Sequence, residues 1–343
     1  MIRGKGGRVE GCKGRKGRVQ GYKGCKGGRG ETMDGVRSVP FTIPPIHPST
    51  PVSRTVSVVV IGAGPAGLAA AVQLVRMGIK TIVFEKDRPG GQISTANLVE
   101  NYLGLYGLPG VEIARLFVRH AMNAGVKMVR ADVSSVTGRR PFTVRSDKGS
   151  WRARAVVVAT GAVPRELQGT GGPVDYDTKD LGAFKGRSVI VLGSGDAAFD
   201  RALRIRPVAS SVRIICRGKP SALPLLITRC RNAGIPIVAS SGQPAVRVAD
   251  GRFELRTRKG IFQAERLLAS IGKTARTPSL PKALEKLSPA FPDGRTTVPG
   301  LWVVGDLASG RDRYLSVATG MGLSAAMAIG EWLKKGKGVG GGR

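Results

Sequence analysis

The chain of 343 residues carries a formal charge of +32, from 55 Lys/Arg against 23 Asp/Glu, and 41% of its residues are apolar. That length allows two domains of ordinary size, and that apolar share supports a sizeable core. There is no secretory apolar stretch and no uninterrupted run of about 18 or more apolar residues. With those stretches lacking, a cytoplasmic protein with no membrane partner is expected, and the four cysteines, Cys12, Cys25, Cys216 and Cys230, form no CxxC and no metal-ligand spacing, which argues against a disulfide scaffold or a bound metal.

Residues 1–54 hold 12 Lys/Arg against 3 Asp/Glu, so the remaining 289 residues still carry +23 and the basic character belongs to the body as well as to the tail. GRVEGCKGRK (7–16) is followed at once by GRVQGYKGCK (17–26), a direct repeat too polar and Gly-rich to bury a core, so disorder is expected over 1–54. Two readings stand: a tether through residues 1–30 for nucleic acid or an anionic surface, or an extension upstream of a later start such as Met33. A single aromatic, Tyr22, and the lack of any nucleic-acid module favour the second. PPIHPSTP (44–51) reads as an extended Pro-rich lead-in.

Structure is expected to begin at TVSVVVIGAGPAGLAAAVQLVRMG (55–78). The β-branched run Val56–Ile61 predicts a buried strand, Gly62-Ala63-Gly64-Pro65-Ala66-Gly67 is GxGxxG, and an Ala/Leu-rich helix follows. GIKTIVFEKD then supplies a second strand ending at Glu85, 23 residues after Gly62. Strand, glycines, helix, strand and terminal acid at this spacing make a dinucleotide fingerprint that a lone GxGxxG does not. Gly62 permits the tight turn, Gly64 lets the backbone approach a pyrophosphate at the helix N-terminus, Gly67 lets helix and strand pack closely, and Glu85 can accept both ribose hydroxyls.

The pattern recurs in GRSVIVLGSGDAAFDRAL (186–203), with Gly193, Gly195, Asp196 and, in the third-glycine place, Ala198. Cys216 lies 23 residues after Gly193, where the first motif has its acid, and Arg217 and Lys219 follow it. A carboxylate would repel a ribose 2′-phosphate, whereas an arginine pairs with it, so this second site leans toward NADP. Two dinucleotide folds in one chain suggest a flavin and a nicotinamide held face to face for hydride transfer.

At this point the sequence resembles the low-molecular-weight thioredoxin reductase family. GAGPAGLAAA, Gly90-Gly91-Gln92-Ile93, VENYLG (99–104), VVVATGAVPR (156–165), GSGDAAFD, GLWVVGDLASG (300–310) and ATGMGLSAAMA (318–328) carry the resemblance, in order, over about residues 55–335. It implies an α/β fold of two Rossmann-like, three-layer ββα domains, the second inserted in the first. An FAD domain would take 55–162 and 273–335, an NAD(P)H domain 163–272, and 336–343 would be a flexible end. By the same resemblance Gly62, Gly64 and Gly67 line the FAD pyrophosphate and Glu85 holds the adenosine ribose. Gln92 and Asn101 lie on the flavin side with Thr160 and Gly161 at the crossing, and Gly305-Asp306 binds the ribityl or phosphate region. Gly193, Gly195, Asp196, Ala198, Arg217 and Lys219 serve NADPH, with NADH as the alternative donor. Arg313-Tyr314 stands where the family often has Arg-Gln, and Arg217-Gly218 where it usually has two arginines. A homodimer is also implied.

The family's CxxC falls on Tyr176-Asp177-Thr178-Lys179, which holds no thiol. YDTKDLGAFKGR together with SVATGMG resembles the thioredoxin-reductase-type ferredoxin/flavodoxin–NADP reductases, which share the fold and lack the disulfide. Their aromatic C-terminal extension is missing, and GGQISTANLVENYLG looks more like thioredoxin reductase. The expected activity is therefore an FAD-dependent NAD(P)H oxidoreductase delivering electrons to an acidic redox protein, ferredoxin or flavodoxin. An NAD(P)H oxidase or diaphorase, a disulfide reductase using Cys216 or Cys230, and a non-enzymatic flavin-binding redox sensor are the competing readings. Hydride transfer asks for alignment and water exclusion, so no catalytic side chain is expected.

Overall fold

The computed structural model describes residues 54–242, 244–275, 277, 291–310 and 312–335. The expectations for the basic tail, the Pro-rich lead-in and residues 336–343 lie outside these. All described residues belong to one contact unit, Ile43–Arg343.

β1 (Thr55–Ile61) is buried continuously from Val58 to Ile61, as a strand covered on both faces must be. It turns into α1 (Pro65–Arg76), whose proline occupies the first helical position, where no N–H is needed. β2 (Thr81–Glu85), α2 (Gly110–Asn123) and β3 (Lys127–Arg130) follow. The chain then forms β4 (Val133–Thr137), β5 (Phe142–Ser146), the long β6 (Gly149–Val158) and the short β7 (Ala162–Pro164). Next come β8 (Ser188–Leu192), α3 (Asp196–Ile205), β9 (Ser211–Cys216), α4 (Pro224–Asn232) and β10 (Ile237–Ala239). β11 (Ala245–Ala249), β12 (Arg252–Thr257), β13 (Gly260–Ala264) and β14 (Arg266–Ala269) complete that stretch. β15 (Lys273–Ala275), β16 (Leu301–Val303) and α5 (Leu315–Lys335) end the described chain.

Seven strands share one sheet in the order β3-β2-β1-β6-β5-β4, with β16 on β6. β5 lies antiparallel along the first half of β6, from Gly149 to Ala153, and β16 lies parallel along its last residues, Val156 to Val158. Residues 301–303 thus rejoin the sheet that began at Thr55. Of the described strands between them, β8, β9, β10 and β14 form a separate parallel sheet in the order β10-β9-β8-β14, with the antiparallel meander β11-β12-β13 beside it. The chain leaves and re-enters the first sheet side by side, because β7 and β15 pair antiparallel with Lys273 opposite Pro164. The result is an α/β fold with the second Rossmann-like unit inserted in the first.

The Gly-rich α5 packs on α1. A Cβ at Gly322 would stand 2.1 Å from the Ala66 carbonyl oxygen, so only glycine allows the two backbones this close. No helix among the described residues is long and apolar enough to cross a membrane.

Candidate functional site

Both glycine motifs sit at the C-terminal tips of parallel strands, where open α/β sheets bind ligands. Gly62 takes φ +104°, and a Cβ there would lie 2.4 Å from the Ala159 carbonyl oxygen. At Gly67 a Cβ would lie 1.9 Å from the Gly62 carbonyl oxygen. Gly64 differs, since the nearest atom to its Cβ direction is the Gly91 Cα at 3.9 Å. The protein therefore leaves room beside Gly64 that it does not fill. Gly64 supplies no side-chain cap to α1, which leaves the first N–H groups of the helix free for a ligand at its N-terminus. At the end of β2, Glu85 accepts hydrogen bonds from the Ala63 N–H at 2.8 Å and the Asp87 N–H at 2.9 Å, one on each carboxylate oxygen. The carboxylate is fixed beside the turn with lone pairs to spare.

Gln92 donates through Nε2 to the Ala162 carbonyl, which joins the segment after Gly91 to the crossing at Thr160-Gly161. Gly305 (φ +73°) comes within 2.8 Å of the Ala66 Cβ by its own Cβ direction, which brings Asp306 to the α1 turn. Beyond Asp306, Ser309 Oγ and Arg313 Nε are buried without a hydrogen-bond partner. Unpaired buried polar groups cost about 1–3 kcal/mol each, so these two atoms would gain from a polar ligand at this turn. Asn101 stands apart: it is exposed in the loop, and none of these hydrogen bonds reaches it.

The second motif repeats the division of labour. A Cβ at Gly193 would lie 2.5 Å from the Ser270 carbonyl oxygen and 2.9 Å from Ala198 Cβ, whereas the nearest atom to a Cβ at Gly195 is Ser221 Oγ at 3.9 Å. Asp196 accepts from the Leu223 N–H at 2.7 Å and ties the turn to the start of α4. Cys216 closes β9, its thiol donating to the Gly193 carbonyl at 3.4 Å. The next residue, Arg217, is exposed, with its N–H on Ser194 Oγ at 3.2 Å, and Lys219 is exposed too.

Cys216 and Cys230 are free and fully buried. Burial raises the Cys216 thiol pKa and pushes that of Cys230 up to about 11, so both stay protonated and unreactive near neutral pH. Among the described residues no group of three or more His, Cys, Asp or Glu could hold a metal ion.

The two motif-bearing halves meet through contacts that the sequence does not announce. Thr178, wholly buried, donates to the Thr95 carbonyl at 3.2 Å, and Asp200 on α3 accepts from the Asn97 N–H at 2.8 Å. Arg204 donates to the Ala96 carbonyl at 2.9 Å, and Arg229 grips Glu100 bidentately at 2.5 and 2.9 Å. Tyr176-Asp177-Thr178-Lys179 is thereby pressed against the segment that begins at Gln92. At the same junction Arg201 is only 7% exposed, and its Nη1 donates to Ser270 Oγ at 2.7 Å. Lys273 Nζ faces Asp306 Oδ2 at 3.8 Å. Burial, with Arg201 and Arg313 nearby, lowers the Lys273 pKa despite Asp306. Lys273 and Arg201 escaped the motif-based reading, since neither lies in a glycine turn; the one signal was that Lys273 is the first residue after the expected 163–272 domain.

Residues 56–322 match the family described as pyridine nucleotide-disulphide oxidoreductase. The chain is 29% identical over 303 residues to a thioredoxin reductase of Bacillus subtilis, an alignment covering 81% of this chain and 95% of that protein. It is 29% identical over 296 residues to a Listeria monocytogenes thioredoxin reductase, covering 77% and 90%. Its fold is similar to the crystal structure of T. acidophilum thioredoxin reductase, with a TM-score of 0.72, 26% identity, and 81% and 98% of the two chains covered.

Proposed function

The chain belongs to the pyridine nucleotide-disulphide oxidoreductase family, and from that premise we propose that it passes a hydride from NADPH to FAD and the electrons onward to a separate acidic protein, ferredoxin or flavodoxin, with no redox disulfide of its own. Thioredoxin reductase-like enzymes of this family use FAD and NADPH. When bound, FAD supplies a two-electron acceptor that can release its electrons singly.

The residues present fit that pair. Room beside Gly64, the held carboxylate of Glu85, and the unpaired Ser309 Oγ and Arg313 Nε favour the first site for FAD. Gln92, Thr160, Gly161 and Asp306 would border its flavin end. Room beside Gly195 and the exposed Arg217 and Lys219 favour the second site for NADPH. On this reading the FAD domain is 55–162 with 273–335, and the NADPH domain is 163–272.

The observation that carries the choice of acceptor is Tyr176-Asp177-Thr178-Lys179. It is pressed against Thr95, on the flavin side, where a CxxC would exchange electrons, and it has no sulfur. Cys216 and Cys230 do not replace it, being separate, buried and protonated. Electrons must then leave to a docked partner, and the +23 of residues 55–343 favours an acidic one. Anaerobic reduction by NADPH followed by addition of ferredoxin, flavodoxin, thioredoxin or oxygen tests this. Ferredoxin or flavodoxin should reoxidise the flavin, and C216S/C230S should do so equally well. Thioredoxin reduction that is lost in C216S/C230S would restore the disulfide reading, and turnover with oxygen alone would make the chain an oxidase.

A further inference from the structure

Lys273, Arg201 and Arg313 bring three cations to the junction of the two halves, and among the described residues only one carboxylate, Asp306, lies within 4 Å of any of them. Arg201, nearly buried, has a hydroxyl as its hydrogen-bond partner, and Arg313 Nε has none. Asp177 and Asp200 act on Arg201 only through space, and Asp200 is already held by the Asn97 N–H. Burying cations without close counter-charge is costly, so the cluster is suited to negative charge that arrives from elsewhere.

The position says which charge. On the reading above, the pyrophosphates of the two dinucleotides would be held at the open turns at Gly64 and Gly195, on the two separate sheets. Lys273 comes instead from the crossing between those sheets, Arg201 from the junction face of α3, and Arg313 from the turn before α5. For a hydride to pass, the reactive rings have to meet where the halves meet. A hydride brings two electrons and one proton; its donor leaves as NADP+, and one unit of negative charge is gained where it arrives.

Resting on the FAD reading above, we propose that Lys273, supported by Arg201 and Arg313, is the counter-charge for the reduced flavin and raises the flavin's reduction potential. It is a tuning residue: its ammonium stabilises the electron-rich state by its field, and Asp306 sets its place. Charge near the reactive nitrogens is one of the means by which proteins set flavin electronics.

The test is the midpoint potential of the purified holoprotein, titrated anaerobically against a reference dye. Lys273→Gln with full FAD content should be harder to reduce by at least tenfold in the equilibrium, about 30 mV for a two-electron couple, and Lys273→Arg should stay near the wild type. An unchanged potential in K273Q would overturn the inference while leaving the FAD reading intact. If K273Q does not retain FAD, Arg201→Gln, on the opposite half, carries the test: a threefold harder reduction is expected, and no change overturns the inference. A wild-type chain that takes up no FAD would instead defeat the functional reading, and the inference with it.

Discussion

Gly64 and Gly67 stand three residues apart in one motif and do different work. At Gly67 a Cβ would meet the backbone of Gly62 at 1.9 Å, so the side chain is excluded by the protein itself. At Gly64 the backbone is extended (φ −77°, ψ −179°) and a Cβ meets nothing closer than 3.9 Å. Gly67→Ala should therefore destabilise the protein whether or not a ligand is present, by about 1–3 kcal/mol for overpacking a tight site. Gly64→Ala should leave the melting of the FAD-free protein unchanged and weaken FAD binding roughly tenfold or more, since the methyl group takes the space the pyrophosphate needs. Thermal melts of FAD-free protein beside FAD titrations separate the two effects; a destabilised G64A that binds FAD normally would remove that glycine from the site. Arg217 makes a comparable separation in the second half. Its side chain is exposed, so Arg217→Glu should fold normally. Its KM for NADPH should rise roughly ten- to a hundred-fold, as expected for about 1.5–3 kcal/mol of charge-assisted hydrogen bonding, while its KM for NADH should change little. Equal effects on both nucleotides would show that Arg217 does not read the 2′-phosphate.

β14 is tied to β8 by a carboxylate clamp. Glu265 accepts from the Ser188 N–H at 2.9 Å and from Arg187 Nη1 at 2.6 Å. These donors, the Ser188 N–H above all, lower its pKa from 4.5 to about 2. A carboxylate depressed on folding adds stability that is fully present above its unfolded pKa and is lost as pH falls through the folded one. Glu265→Gln should accordingly lower Tm at pH 7, and the gap to wild type should close between about pH 4.5 and 2; a gap that persists at pH 2 would assign the effect to packing. This clamp also marks the limit of what the chain reveals before it folds. Both βαβ motifs were legible, because strand run, glycine spacing, helix and the residue closing the second strand, Glu85 in one and Cys216 in the other, lie within about 30 residues. The insertion was legible through ordered motifs on both sides of it. The junction was not, because Asn97 and Asp200 are 103 residues apart, Glu100 and Arg229 129 apart, and no periodicity encodes such pairs. Arg201 illustrates the cause: it reads as one more helical arginine in an Arg-rich chain, and only tertiary packing makes it a buried cation.

At the scale of the whole molecule the charge bears on how the proposed acidic acceptor would be met. With the 12 Lys/Arg and 3 Asp/Glu of residues 1–54 set aside, 43 basic residues remain against 20 acidic ones. Attraction between such a surface and an acidic carrier acts over distance and raises the association rate, but salt screens it beyond roughly 10 Å at about 0.1 M. On the proposed reading, reduction by NADPH would depend instead on the second nucleotide site, where a phosphate would lie close to Arg217 and Lys219, so screening should affect it less. NADPH-dependent reduction of ferredoxin should therefore slow steeply between roughly 0.05 and 0.3 M salt, over which the screening length falls from above to below the 10 Å scale, while stopped-flow reduction of the bound flavin by NADPH slows far less. Removing residues 1–54 should preserve the salt dependence, because the larger share of the excess charge lies beyond residue 54. If truncation abolishes it, the tail and not the body recruits the acceptor. If both steps respond to salt alike, long-range steering of a protein partner is not what the charge is for.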